Sequence, residues 1–314
     1  MSLFKKVQSL FGSAPDVSSP APQKPVASSD AETPVPGKKV EPQGGGLEGV
    51  RHIVAVGSGK GGVGKSTITL NLALALAAQG LKVGVLDADV YGPSQQHLTN
   101  APRPELSGED RLIPPEYEGV KIISVAMFSN VNQAQVLRGP MATQLLRQFL
   151  TQVNWGDLDY LLIDLPPGTG DIQLSLAQMA PLSGAVLITT PQEMSIIDVR
   201  KAVSMFKTLN VPMLGVIENM SYFICDSCDK KHYIFRKGGG ARLAAELGLP
   251  LLAEIPLDPR VVETSDEGKA VMVSMPSSDA AREFTKAAKT ISDGLALQQK
   301  SGDGGLGYFL LEWK

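Results

Sequence analysis

The apolar run Ile53-Val54-Ala55-Val56, the loop Gly59-Lys60-Gly61-Gly62-Val63-Gly64-Lys65-Ser66-Thr67 and a helical pattern from Ile68 to Gln79 follow one another directly. A buried strand, a glycine loop ending in Lys-Ser and a helix form the context that a phosphate-binding loop requires. Gly59, Gly61, Gly62 and Gly64 open backbone conformations closed to residues with a Cβ, so successive N–H groups can turn inward around phosphate oxygens. The helix starting near Lys65 adds its positive dipole end. Lys65 is placed to reach the β- and γ-phosphates, and the Ser66 hydroxyl to ligate Mg²⁺. An ordinary strand-to-helix turn needs neither four glycines nor Lys-Ser at this spacing.

From Val50 onward, strand and helix patterns alternate. Leu81–Asp87, Val120–Met127, Asp159–Asp164, Gly184–Thr190 and Val211–Asn219 read as strands, with helices leading through Val153 and around Ile197 to Leu209. This order predicts an α/β fold, a mainly parallel β-sheet with helices on both faces, and the glycine loop ending in Lys65-Ser66 makes the expected architecture that of a P-loop NTPase. Asp87-Ala88-Asp89 stands at a strand's carboxyl end, the edge where open α/β sheets bind ligands; two acids there could also cap the next segment. Asp164 ends an apolar strand in the Walker B manner, and its carboxylate would hold Mg²⁺ through the ion's water shell. Leu165-Pro166-Pro167-Gly168 continues as a switch loop in which the Gly168 N–H can meet a γ-phosphate.

The ends of the chain read differently. Residues 1–12 carry Leu3, Phe4, Val7, Leu10 and Phe11 at helical spacing, either a short amphipathic helix or a frayed terminus. Residues 13–49 are rich in Pro, Ser, Ala and Gly and read as a disordered linker, residues 50–298 as the folded domain, and 299–314 as a flexible tail ending in aromatic residues. A net charge of -3 among 314 residues gives no electrostatic reason to expect nucleic acid as a partner. No apolar run reaches membrane-spanning length and no signal-peptide pattern opens the chain, so the cytoplasm is the expected location and a membrane is not an expected partner.

Both cysteines lie in one C-x-x-C, Cys225 and Cys228. Two thiolates at this spacing can reach one metal, but a closed tetrahedral site needs four ligands. A symmetric homodimer would supply the second pair across its two-fold axis. His232, four residues on, reads either as a further ligand or as an ordinary surface histidine, and His52 and His97 are scattered elsewhere.

Taken with Asp87-Ala88-Asp89-Val90-Tyr91-Gly92-Pro93-Ser94, Arg138-Gly139-Pro140-Met141, Asp164-Leu165-Pro166-Pro167-Gly168-Thr169-Gly170-Asp171, Glu218-Asn219-Met220-Ser221 and Gly238-Gly239-Gly240, the loop and the cysteines resemble the Mrp/ApbC branch of the deviant Walker A ATPases. That group also contains MinD, ParA and the nitrogenase iron protein. The resemblance spans roughly Val50 to Ile291. It implies an ATPase that carries a labile [4Fe-4S] cluster between two subunits and delivers it to apo iron–sulfur proteins, in exchange with a cluster assembly scaffold. It further implies that Lys60 reaches the partner's nucleotide and that Asp89 orients the attacking water. Asn219 would read adenine, with Pro256 and Asp258 in a late nucleotide-site segment. Catalysis would then rest on Lys60, Lys65, Asp89 and Asp164, with ATP, Mg²⁺ and the cluster as bound groups.

Two departures stand out. Many members carry a small folded domain before the ATPase, where this chain has the Pro- and Ser-rich stretch. Gln95-Gln96 stands where the family has a proline two residues after the Gly-Pro-Ser, which is expected to alter a loop rather than the chemistry. Two other functions fit parts of the pattern: a positioning ATPase like MinD or ParA, which has no use for paired thiolates, and an ATPase whose dimer is bridged by a structural zinc.

Overall fold

The structure, a computed structural model, describes residues 46–107, 111–128 and 139–300. The amphipathic segment at 1–12, most of the linker, Arg138 and residues 301–314 lie outside the described residues.

Eight strands form one sheet: β1 (Val50–Ser58), β2 (Val83–Asp87), β5 (Glu116–Tyr117), β6 (Val120–Ser124), β7 (Leu158–Asp164), β8 (Gly184–Thr189), β9 (Met213–Glu218) and β12 (Leu251–Glu254). Their order is β12-β9-β8-β1-β7-β2-β6-β5, and every pairing is parallel except the edge pair β5–β6. Strands covered by helices on both sides must be apolar throughout, and Val83–Asp87 and Gly184–Thr189 are buried at every position. Helix α1 (Lys65–Ala77) follows β1 and is buried nearly all round, because it lies between the sheet and the long final helix α9 (Asp279–Lys300). A helix so placed has no solvent face to make polar, hence the run Leu70, Leu72, Leu74, Leu76.

Short α2 (Gln95–Thr99), α3 (Gly139–Gln152), α4 (Asp171–Met179), α5 (Glu193–Thr208), α6 (Gly239–Leu247), α7 (Pro259–Asp266) and α8 (Val271–Ser274) complete the helices among the described residues. Helices α5 and α6 pack on each other, α5 against β8 and β1 and α6 against β9. Two small hairpins lie outside the main sheet: β3 (Glu105–Leu106) with β4 (Leu112–Ile113), and β10 (Phe223–Ile224) with β11 (Lys231–His232).

Three boundaries differ from the sequence pattern. The strand expected through Met127 stops at Ser124, and Val125–Phe128 turns as a 3-10 helix. Gly46 is already buried, where a Cβ would meet the Leu150 carbonyl oxygen at 2.3 Å, and Leu47 packs on the core, so ordered chain begins before Val50. Helix α9 runs through residues 299 and 300. No described helix is long and apolar enough to cross a membrane.

Candidate nucleotide site and thiol hairpin

Strand β1 delivers its chain to the loop between two parallel neighbours, β7 and β8, so the loop, Asp164 and Asp87 converge at one sheet edge. The loop bounds a cavity of about 270 Å³. Ser58 and residues 60–67 line it, with Asp89, Gly92, Ser94 and Pro167 opposite. Of the four glycines, Gly62 and Gly64 have φ of 77° and 80°, the left-handed region that requires glycine. Gly59 answers a different need: a Cβ there would meet the Asp198 carbonyl carbon of α5 at 2.2 Å.

The polar groups are densely connected. Lys65 Nζ, only 6% exposed, pairs with Oδ1 of fully buried Asp164. Thr69 Oγ1, which donates to the Lys65 carbonyl at 2.9 Å, lies 3.4 Å from the same oxygen. Gln95 Nε2 donates to Asp164 Oδ2 at 3.0 Å and to the Ser66 carbonyl at 2.9 Å, tying β7, the loop and α2 together. Gln95 Oε1 is buried with no donor among the described residues. The expectation that the Gln95-Gln96 departure touches only a loop is therefore corrected. Gln95 opens helix α2, and its carboxamide reaches into the carboxylate cluster.

Asp87 sits beneath this cluster. Its Oδ2 accepts from Ser124 Oγ at 2.8 Å and from the N–H groups of Ser94 and Gln95, each at 3.0 Å; its Oδ1 accepts from Asp89 N at 3.2 Å. Burial, then the neighbouring Asp164 carboxylate, pushes its pKa up to about 7. Burial also raises Asp89, whose Oδ1 accepts from the Gly92 N–H at 3.1 Å. The donor set suits Mg²⁺: a Ser66 hydroxyl at the cavity and the buried carboxylates of Asp87, Asp89 and Asp164, all hard oxygens.

The other predicted residues occupy varied places. Lys60 Nζ donates to Gln192 Oε1 at 3.3 Å, just ahead of α5. Val63 is buried, and its carbonyl accepts from Asn219 Nδ2 at 2.8 Å, while the Thr67 carbonyl accepts from Asn71 at 2.8 Å. Gly168, with φ of 93°, donates its N–H to the Ser58 carbonyl at 3.1 Å. Asp258 caps α7 through the Arg260 N–H at 3.0 Å and pairs with the Arg260 guanidinium. Neither Pro256 nor Asp258 lines the cavity. Glu218, fully buried, accepts from Ser221 Oγ at 2.6 Å and from the Gly240 N–H, the last of the Gly238-Gly239-Gly240 run.

Beyond Asn219 the chain enters the hairpin β10–β11, whose tip carries the cysteines. The N–H groups of Cys228 and Asp229 donate to the Cys225 carbonyl at 3.3 and 2.9 Å, and the Cys225 N–H to the Lys230 carbonyl at 3.0 Å, forming a tight knuckle. The Ser227 N–H, then the Cys228 thiol and N–H, hold the Cys225 thiol below its ordinary range. Cys225 is half-buried, Cys228 exposed, and no disulfide joins them. His52 is part of the core, stacked on Tyr160 at 5.2 Å.

Residues 49–292 match the family described as NUBPL iron-transfer P-loop NTPase. The chain belongs to this family. An iron-sulfur cluster carrier protein of Aquifex aeolicus is 50% identical over 249 residues, covering 78% of this chain and 68% of that protein. A solved nucleotide-binding protein of Archaeoglobus fulgidus, described as a complex with ADP and with cobalt found, is 41% identical with a TM-score of 0.64, covering 72% of this chain and 89% of that one. The cell division ATPase MinD of Pyrococcus furiosus, 23% identical with a TM-score of 0.57, covers 77% of this chain and 98% of its own, and shows the shared fold. Family membership makes the mostly parallel sheet and its loop an NTPase scaffold, as the residues from Gly59 to Thr67 predict.

Gln95, Thr69 and Gln192 are the site residues that sequence reading missed. Gln95 left a signal: it stands three residues before the apolar Leu98, so on a helix the two share a face, and both are buried.

Proposed function

We propose that this protein is an ATP-hydrolysing iron–sulfur cluster carrier that holds a [4Fe-4S] cluster between two copies through Cys225 and Cys228 and passes it to apoproteins, loaded in turn from an assembly scaffold. The observation that carries this reading is the direct linkage of the two sites. Asn219 grips the phosphate loop at the Val63 carbonyl, and six residues later the same chain presents Cys225 with its thiol biased toward thiolate. A change in the loop is thus transmitted along a short backbone run to the cargo ligands. The exposed knuckle suits cargo that must be handed on.

For hydrolysis, Lys65 exchanges Asp164 for the β- and γ-phosphates, Lys60 leaves Gln192 for the second copy's nucleotide, and the loop N–H groups stabilise charge developing on the phosphoryl oxygens. Asp89, held by the Gly92 N–H at the cavity wall, orients the attacking water. Asn219, which holds the loop at Val63, and the segment through Pro256 and Asp258, which lies outside the phosphate cavity, would border the base beyond it. Ser66 and, through water, Asp164 would hold Mg²⁺, which neutralises phosphate charge when bound. The location proposed is the cytoplasm.

Anaerobic reconstitution with iron and sulfide, followed by metal analysis and molecular mass, tests the proposal. About four irons per two chains, lost in Cys225→Ala or Cys228→Ala, is the expected result for four-thiolate ligation of a cubane. Stoichiometric iron and sulfide retained by the double variant would overturn it.

A further inference from the structure

The hairpin brings a third donor to the two thiols. Ligand atoms of Cys225, Cys228 and His232 all lie within 4.8 Å of one another. The cause lies in strand register. Phe223 pairs with His232 across the antiparallel hairpin, so both side chains leave one face of the ribbon. Cys225, one residue past the strand, continues the ladder through its N–H to the Lys230 carbonyl at 3.0 Å and, two residues after Phe223, falls on that face as well. The knuckle formed by the N–H groups of Cys228 and Asp229 on the Cys225 carbonyl then folds Cys228 back beside it.

We infer that each single chain holds one borderline-soft divalent ion, of the Zn²⁺ and Fe²⁺ class, through Cys225, Cys228 and His232, with a fourth position left open. This rests on the reading of Cys225 and Cys228 as metal ligands and adds to it a ligand and a state. Two thiolates and one imidazole are the donor types such ions take, and three protein ligands with one open position is the arrangement of exchangeable sites rather than of closed structural ones. Sulfurs 2.3 Å from a tetrahedral ion stand about 3.8 Å apart. The three groups therefore need to close by roughly 1 Å, at the exposed tip of a two-residue-per-strand hairpin.

The consequence is mechanistic. A site with only two donors per chain has no stable content unless two chains meet. With His232 included, one chain keeps hold of an ion when the two copies separate. The open position is where a thiolate of a second copy or of a recipient enters.

Titration of the full-length, reduced protein with Co²⁺ under argon, read by absorption and by molecular mass, tests this. One Co²⁺ per single chain is expected, with thiolate-to-metal charge transfer and the d–d bands of a tetrahedral ion. His232→Ala should weaken binding roughly tenfold or more and change the d–d envelope, and His232→Cys should restore tight binding. Unchanged nucleotide binding in both variants confirms the fold. Wild-type affinity and spectrum in His232→Ala would overturn the inference, as would one Co²⁺ per two chains with no effect of that variant. In either case loss of the ion from Cys225→Ala/Cys228→Ala leaves the cysteine reading standing. Full Co²⁺ binding in that double variant would sink both.

Discussion

The nucleotide cavity and the thiol hairpin solve opposite problems in one chain. Around the cavity, Lys65, Thr69, Asp87, Gln95, Ser124 and Asp164 are buried and joined into one network spanning β2, β6, β7, α1 and α2. At the hairpin, two-residue strands and a knuckle hold residues 225–232 at the surface. Charge development on a phosphoryl group is stabilised by groups already fixed in place, which costs no reorganisation at the moment of reaction. The cargo role proposed for the hairpin needs the reverse, with ligands able to leave one metal and meet another. Buried, hydrogen-bonded groups are accordingly concentrated at the first region and exposed ones at the second.

The largest effect should come from breaking the buried pair. Lys65→Ala leaves Asp164 uncompensated, destabilising the fold by about 3–5 kcal/mol in denaturant unfolding. Nucleotide affinity should fall about a hundredfold or more, an expected 2.7 kcal/mol. Near-normal ATP affinity would refute the assignment of the loop.

Gln95→Ala comes next. It strands Asp164 Oδ2 and removes the second bond to the Ser66 carbonyl, so a loss of about 1–3 kcal/mol is expected, with weaker Mg²⁺-dependent nucleotide binding and unchanged metal content at the cysteines. An unaffected unfolding midpoint would mean that the carboxamide does not bind the two elements together.

The third prediction concerns pH. Asp87 has a folded pKa of about 7 against an ordinary aspartate value of 3.8 in the unfolded chain, so the folded state binds its proton more tightly. Its contribution to stability is full below about pH 4, declines as pH rises, and is lost above about pH 7. The difference in unfolding free energy between wild type and Asp87→Asn should therefore change steadily across that window and flatten above it. A pH-independent difference would place the Asp87 proton elsewhere.

The smallest effect on the fold should come from the thiols. Cys225→Ala/Cys228→Ala should lose all bound iron yet leave the unfolding midpoint and nucleotide affinity unchanged, because Cys228 is exposed and Cys225 only half-buried on a peripheral hairpin. A large shift in the midpoint would erase the contrast between the two regions.

Much of this was written locally in the chain. Strand β1, the glycine loop, Lys65, Ser66 and the Asp164 strand end could be read because their signals are contiguous: a buried parallel strand is an unbroken apolar run, and a phosphate loop is a fixed spacing of glycines before Lys-Ser. The strand pattern likewise predicted a parallel α/β sheet, and the motifs from Asp87 to Cys228 pointed to the family to which the chain belongs. Short elements escaped, among them β3, β4, β10 and β11, since two residues carry no periodicity.

What only the tertiary structure decided are the contacts between residues far apart in sequence. Gln95 looked like a loop variation until α2 brought it against Asp164, 69 residues away. Asn219 meets Val63 across 156 residues because β9 and β1 end at the same sheet edge, on either side of β8. His232 faces Cys225 because antiparallel register, and not spacing along the chain, chooses the side of a ribbon on which a side chain stands. Sequence determines which chemistry each segment can offer, through local backbone and side-chain preferences. Which of those groups meet is set by the packing of the sheet, and that is a property of the whole chain.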